Sequence, residues 1–178
     1  MKYDLNQGRD PQLTIEARFA RENTNDLGEG LMPQTAHIII AEFKKFMYLT
    51  ALELMERKRN RVIVPTDRIL QNDCGKKFIF QAPFCAPPYI DRMWRLLVLY
   101  NHDYDAFCKK LVGGFIDRDD PRENYELAFL RYQKTIAALE KRKDLLKPFM
   151  NLWPKYNNLQ EFVTDYEFTS YISAEGLP

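Results

Sequence analysis

Residues 120–148 read DPRENYELAFLRYQKTIAALEKRKDLLKP, with Tyr125, Phe129, Tyr132, Ile136 and Leu139 recurring at steps of four and three through a charged background. That spacing places five large apolar side chains on one face of a helix and leaves the charges on the other. Asp120-Pro121 is a start signal, because a short carboxylate caps free N–H groups and proline is tolerated in a first turn. Pro148 marks the approach of the stop. An amphipathic helix of this kind needs other apolar stripes to cover it, and the flanking sequence supplies them.

Upstream, Tyr104, Phe107, Cys108 and Leu111 fall at i, i+3, i+4 and i+7, after Asn101 as a cap and before Gly113-Gly114 as a C-terminal stop. A short apolar helix from Pro87-Pro88 to about Tyr100, with Ile90, Trp94 and Leu97 on one side, meets it in a tight corner. From Thr35, a candidate cap, to about Asn60, the residues Ile39, Phe43, Phe46, Met47, Leu54 and Met55 mark the first long helix, which ends in the cations Arg57, Lys58, Arg59 and Arg61. Between these helices, residues 61–88 are broken differently. Val62-Ile63-Val64 is β-prone, Pro65 to Leu70 reads as one helical turn, and Lys77 to Gln81 alternates after the turn-like Asn72-Asp73-Cys74-Gly75. The reading is a small β-hairpin laid as a connection across the helices, its strands too short for a sheet domain.

The ends differ from the middle. Residues 1–34 are polar and weakly patterned, with at most a short helix from about Gln12 to Arg21, and read as an arm lying along its own domain or a neighbouring subunit. Residues 149–178 carry Trp153-Pro154, a short helix from Asn158 to Tyr166 and a polar tail with scattered Phe and Tyr. Sparse aromatics on such a tail serve docking, in cis or onto a partner. The expected fold class is therefore mainly α: an irregular helical bundle with a small β-hairpin and extended N- and C-terminal arms. Its parts are an N-terminal arm (1–34), a helical domain (35–148) and a C-terminal extension (149–178).

Composition limits the function classes. Lys and Arg number 26 against 25 Asp and Glu, a formal charge of +1, so no global field draws the chain to nucleic acid or an anionic membrane. The run from Arg57 to Arg61 would support nucleic-acid binding only with a salt-dependent affinity; as a helix end it reads as a solvated C-terminus. Apolar stretches are interrupted by charge well before a bilayer-spanning length, so no transmembrane segment of its own is expected. Cys74, Cys85 and Cys108 are odd in number and have no metal-binding spacing, which points to an intracellular, reducing compartment. The N-terminus has no apolar signal core, and its arginines are mixed with acids, against an uncleaved organellar presequence.

The residues of chemistry are sparse. His37 and His102 are the two histidines, one at the start of an apolar helix and one at a helix N-terminus, where surface or capping roles are the common case. No His, Cys or Glu pair has metal-ligand spacing, no glycine cluster precedes a helix to cradle phosphate, and no serine sits in a nucleophile turn. Cys108 lies on an apolar face, as small buried thiols do. Asp117-Arg118-Asp119-Asp120 offers carboxylates, read here as a loop with a helix cap. No catalytic, cofactor-binding or metal-ligating residue is nominated.

The stretch APPYIDRMWRLLVLYNHDYDAFCKKLVGGFIDRDDP, residues 86–121, resembles the glycine-rich-domain-containing-protein-like family through Pro87, Ile90, Asp91, Trp94, Tyr104, Phe107, Cys108, Gly114, Phe115, Ile116 and Pro121. The resemblance covers about a fifth of the chain, and the helix from Phe43 to Leu54 also corresponds. The departures are in the imidazoles: the family's Trp-His stands here as Trp94-Arg95 and its His-His as Asp117-Arg118, with one extra residue before Pro121. The resemblance thus implies a helical scaffold retained without a histidine site, since arginine neither ligates metals nor titrates near neutrality. Asp91 and Arg95, four apart on one helix, together with the Asp117-Arg118 loop, are expected to form a structural ion-pair cluster.

These observations lead to a non-enzymatic structural or accessory subunit of a larger protein assembly, contacting other protein subunits through its termini. A mitochondrial membrane complex and a cytoskeletal or ciliary lattice are the two settings considered, with the cytoplasm as the alternative compartment to the mitochondrion. The competing reading is a small-ligand module or enzyme with a pocket near Trp94, Tyr104 and Asp117.

Overall fold

A computed structural model gives the arrangement, describing residues 33–60, 67–72, 75–99 and 101–174. The N-terminal arm, the Val62-Ile63-Val64 run, Cys74 and the end of the C-terminal tail lie outside the described residues. Six α-helices occur among them: α1 (Pro33–Arg59), α2 (Pro88–Leu99), α3 (Asn101–Val112), α4 (Tyr125–Lys141), α5 (Lys143–Leu146) and α6 (Leu159–Ala174). Strands β1 (Arg68–Asn72), β2 (Gly75–Gln81) and β3 (Phe115–Asp117) form one sheet in the order β1-β2-β3. The fold is mainly α with a small β element.

The chain divides into two compact units. Of the described residues, the first holds 33–44, 87–99, 101–103 and 149–174; the second holds 45–60, 67–72, 75–86 and 104–148. In the first, α2 packs against α6. Its buried side chains are Ile39 and Phe43 from α1, Ile90, Met93, Trp94 and Leu97 from α2, and Trp153, Phe162 and Tyr166 from the C-terminal segment. The C-terminal segment docks on its own chain through the packing of α6 on α2 and the Trp153–Glu42 hydrogen bond, while within the segment Phe162 meets Tyr156 edge-on at 5.4 Å and Tyr166 at 4.7 Å. The helix itself outruns the expected Asn158–Tyr166, continuing to Ala174. Asn158 is its cap, accepting from the Glu161 N–H at 3.0 Å, while the Glu161 carboxylate accepts from the Asn157 N–H at 2.9 Å, so the return bond of a capping box is displaced here to the residue before the cap.

The second unit is built on α1 from Lys45 onward, α3, α4 and the sheet. Ala128, Tyr132, Thr135 and Leu139 are the buried stripe of α4, packed in a core that also includes Phe46, Met47, Leu49, Tyr104, Cys108 and Ile116. The start of α4 lies a turn later than Asp120-Pro121 indicated. Asp120 caps a 3-10 turn, Pro121–Glu123, and Asn124 then caps the α-helix by accepting from the Leu127 N–H at 2.9 Å. Two polar caps in succession divide the work that the sequence assigned to one.

The sheet departs most from expectation. The hairpin is present, with Ile69 opposite Phe78 and Asn72 opposite Gly75. However, Arg68, Ile69 and Leu70 are strand and not helical turn. Phe115–Asp117, with Asp117 expected as loop and the other two residues unassigned, lies parallel to β2 with Ile79 opposite Phe115. Three residues are too few to show a period, and their partner lies in a distant part of the chain.

Candidate functional site

Asp117 and Arg118 belong to the second unit, Asp91 and Arg95 to the first. On α2, Asp91 is buried whereas Arg95 is exposed. On β3, the Asp117 carboxylate lies 3.7 Å from the Arg68 guanidinium across the sheet. Arg118 is half-buried, and its positive charge acts on Asp120. The loop after β3 contributes a further carboxylate outside the expected ion-pair cluster: Asp119 accepts from the Gln81 side-chain amide and from the Arg131 guanidinium. Asp67 closes the arrangement by accepting from the Gln81 backbone N–H at 3.0 Å. Side chains from β1, β2 and α4 thus hold the end of β3 and the loop after it, Arg68 at Asp117 and Gln81 and Arg131 at Asp119.

The two flanking acids respond oppositely. Burial raises the Asp117 carboxyl above its ordinary value, and the neighbouring Asp119 charge pushes the same way, against the pull of Arg68. Asp120 is lowered to about 2, first through its side-chain bond with Arg122, whose Nε and Nη2 donate to Oδ1 and Oδ2 at 2.9 and 2.5 Å. A depressed acid stabilises the fold above its unfolded pKa of 3.8, and that contribution is lost as pH falls towards about 2. The contribution of Asp117 runs the other way, present below 3.8 and lost as pH rises through its raised folded value. Asp120→Asn keeps the cap but removes the charge. It is expected to lower stability by about 0.5 to 1 kcal/mol at neutral pH. Urea unfolding of both chains should show that difference shrinking between pH 4 and pH 2; a constant difference would reject the ion pair.

Two further polar pairs are deeply buried. Glu42, 1% exposed, accepts from Trp153 Nε1 at 2.9 Å in the first unit. Thr135, 0% exposed, accepts from the Cys85 N–H at 3.2 Å, and its hydroxyl lies 2.8 Å from the Cys85 carbonyl in the second. Both residues sit in phase with apolar stripes, Glu42 beside Ile39, Phe43 and Phe46 and Thr135 beside Tyr132 and Leu139. A polar residue at a core phase was the available signal, because burial demands a partner.

The residues that carried the family resemblance are mostly packing residues here: Pro87, Ile90, Asp91, Trp94, Tyr104, Cys108, Gly114, Ile116 and Pro121 are all buried. Tyr104 is wholly enclosed and its hydroxyl donates to the Ile116 carbonyl at 2.7 Å, which fixes α3 to β3. Cys85 and Cys108 are buried and in no disulfide, and His37 is exposed; the His102 side chain lies outside the described residues. Among the described residues no group of three or more His, Cys, Asp or Glu side chains is placed to hold a metal ion, and no helix is long and apolar enough to cross a membrane.

What the surface does present is large apolar side chains on helix faces. In the second unit these are Tyr48 and Met55 on α1, Leu127 and Leu130 on α4, and Leu145 on α5, the last 68% exposed. In the first they include Leu99 on α2, Phe149, and Phe168 on α6, with Leu99 at 79%. Covering such side chains against another protein would remove apolar area from water, so the outer helix faces, and not the carboxylate cluster, are taken as the candidate site. The chain matches no family model, no curated protein and no solved structure.

Proposed function

We propose that the chain is a non-enzymatic structural or accessory subunit of a larger protein assembly. The observation that carries this reading is the exposure of large apolar side chains on helix faces of both units, most fully Leu99, Leu145, Phe168 and Leu130. Each such side chain leaves apolar area in water, and covering it against another protein recovers roughly 25 cal/mol per Å². The polar groups support the same reading from the other side. Asp119, Asp120, Glu42 and Thr135 are all engaged by groups of their own unit, so their chemistry goes into holding a shape. The near balance of 26 cations and 25 acids suits partners recognised by fit and local charge, and not by a long-range field.

The resemblance to the glycine-rich-domain-containing-protein-like family belongs to the same proposal: a helical packing scheme kept, with arginine and aspartate where that family carries imidazoles. A mitochondrial membrane complex is the setting we put first, and a cytoskeletal or ciliary lattice second.

Sedimentation of the endogenous chain from gently lysed cells tests the reading. The expected species is several times heavier than the 21.1 kDa of the chain and contains companions in fixed ratio. Cofractionation with mitochondrial membranes or with the cytoskeletal pellet separates the two settings. A lone species of 21.1 kDa at native concentration would remove the proposal.

A further inference from the structure

The outward face of α4 carries a pattern that solvent does not require. Its buried stripe is Ala128, Tyr132, Thr135 and Leu139. On the opposite side, Leu127, Leu130, Lys134, Ala137 and Lys141 are all exposed, and they follow one another at steps of three, four, three and four. That is the spacing of a helix-pairing seam, in which each side chain can enter the space between those of a facing helix. Leu127 and Leu130 are 43% and 56% exposed, so the seam is open at its apolar end.

The other end is cationic, and α4 leaves its charges without an intrahelical acid. The positions three and four away from Lys134 are Leu130, Arg131, Ala137 and Ala138; those preceding Lys141 are Ala137 and Ala138, and the acid three residues after it, Asp144, lies beyond the helix end in α5. Neither lysine makes a salt bridge among the described residues. Lys141 also complements the helix C-terminus, but Lys134 lies mid-helix, where that explanation does not reach. Carboxylates for this end must come from outside the helix.

Resting on the assembly reading above, we propose that this face of α4 docks an amphipathic helix of another protein. The partner helix carries leucine-sized residues where it meets Leu127 and Leu130, and Asp or Glu where it meets Lys134 and Lys141. A second copy of the chain is a poor occupant. Antiparallel pairing about the middle of the stripe sets Lys134 against Lys134 and each Leu127 against a Lys141, and parallel pairing stacks lysine on lysine at both 134 and 141. Both arrangements bury like charges or bare cations.

The probes are two synthetic helical peptides of about three heptads, identical in their leucines, with Glu in one and Lys in the other at the positions facing Lys134 and Lys141. Fluorescence anisotropy with the full chain is expected to show the Glu peptide binding at least about tenfold tighter. Lys134→Glu with Lys141→Glu should exchange that preference. Leu130→Asp should weaken the Glu peptide by about tenfold or more with the melting midpoint unchanged, since the side chain stands in solvent. Equal affinity for the two peptides, binding of neither, or self-association of the chain that Leu130→Asp abolishes would each overturn the proposal. The assembly reading is separable. A heavy native complex that survives Leu130→Asp keeps that reading and removes this surface from it. Discrimination between the peptides by a chain that sediments alone keeps this surface and removes that reading.

Discussion

Trp153→Ala is expected to lower the stability of the first unit by about 3 to 5 kcal/mol, the range for emptying a large aromatic site in a packed interior. Trp153 is 1% exposed, and its indole does two things at once. Its ring fills the centre of a core with Phe162 and Trp94 among the buried residues, and its N–H satisfies Glu42 at 2.9 Å. Alanine removes both, leaving a cavity and taking a donor from a carboxylate that is itself 1% exposed. The two contributions separate with Trp153→Phe, which keeps most of the ring volume and loses only the donor; about 1 to 3 kcal/mol is expected there. Trp94, the other tryptophan, is buried in the same unit and serves as the fluorescence reporter in urea unfolding of each variant. A midpoint for Trp153→Ala equal to that of the parent chain would mean that the C-terminal segment does not contribute to the core.

That result would bear on how the C-terminal segment is understood. Read as sequence, Trp153 and the aromatics after it belonged to a tail whose docking partner was open. The physical difference between tail and core element here is the buried hydrogen bond from Trp153 to Glu42 and the packing of α6 against α2. Neither is visible locally, because Glu42 and α2 are distant in the chain. By contrast, α1, α2, α3 and α4 were legible from their stripes. Each has enough residues for a 3.6-residue period to emerge, and the expected stripes are buried at Phe43, Trp94, Tyr104 and Tyr132, whereas Met55 is exposed and Tyr125, Phe129 and Ile136 are half-buried, the buried side of α4 being turned towards Ala128 and Thr135. The carboxylate cluster falls between these cases. Asp117, Arg118 and Asp120 could be singled out as a dense charged loop, but the groups that hold it, Arg68, Gln81 and Arg131, come from three separate elements whose convergence depends on the parallel pairing of β3 with β2.

Gly114→Ala, the other large effect, turns on that same pairing. The two neighbouring glycines read alike as a helix stop, yet they meet different constraints. Gly113 has φ +75°, and its N–H donates to the Lys109 carbonyl at 2.9 Å, the left-handed turn that ends a helix. A Cβ there meets nothing within 4 Å, so Gly113→Ala carries only the backbone penalty, about 1 kcal/mol. A Cβ on Gly114 would stand 2.7 Å from the Phe78 carbonyl oxygen, 2.7 Å from Phe80 Cε2 and 3.0 Å from Phe78 Cβ. The Phe80 ring can turn away, but the carbonyl belongs to β2 and cannot move without displacing the strand. Alanine therefore forces β2 and β3 apart at Ile79 and Phe115, and the expected loss is about 3 kcal/mol, the upper part of the range for overpacking. Amide exchange should accelerate at Phe80 and Gln81 and across Phe115 to Asp117 in Gly114→Ala, and stay near the parent rate there in Gly113→Ala. The reverse order would mean that the chain stops α3 at this dipeptide without needing the strand that follows it, and that the ties from Arg68, Gln81 and Arg131 hold Asp117 and Asp119 in place without the sheet.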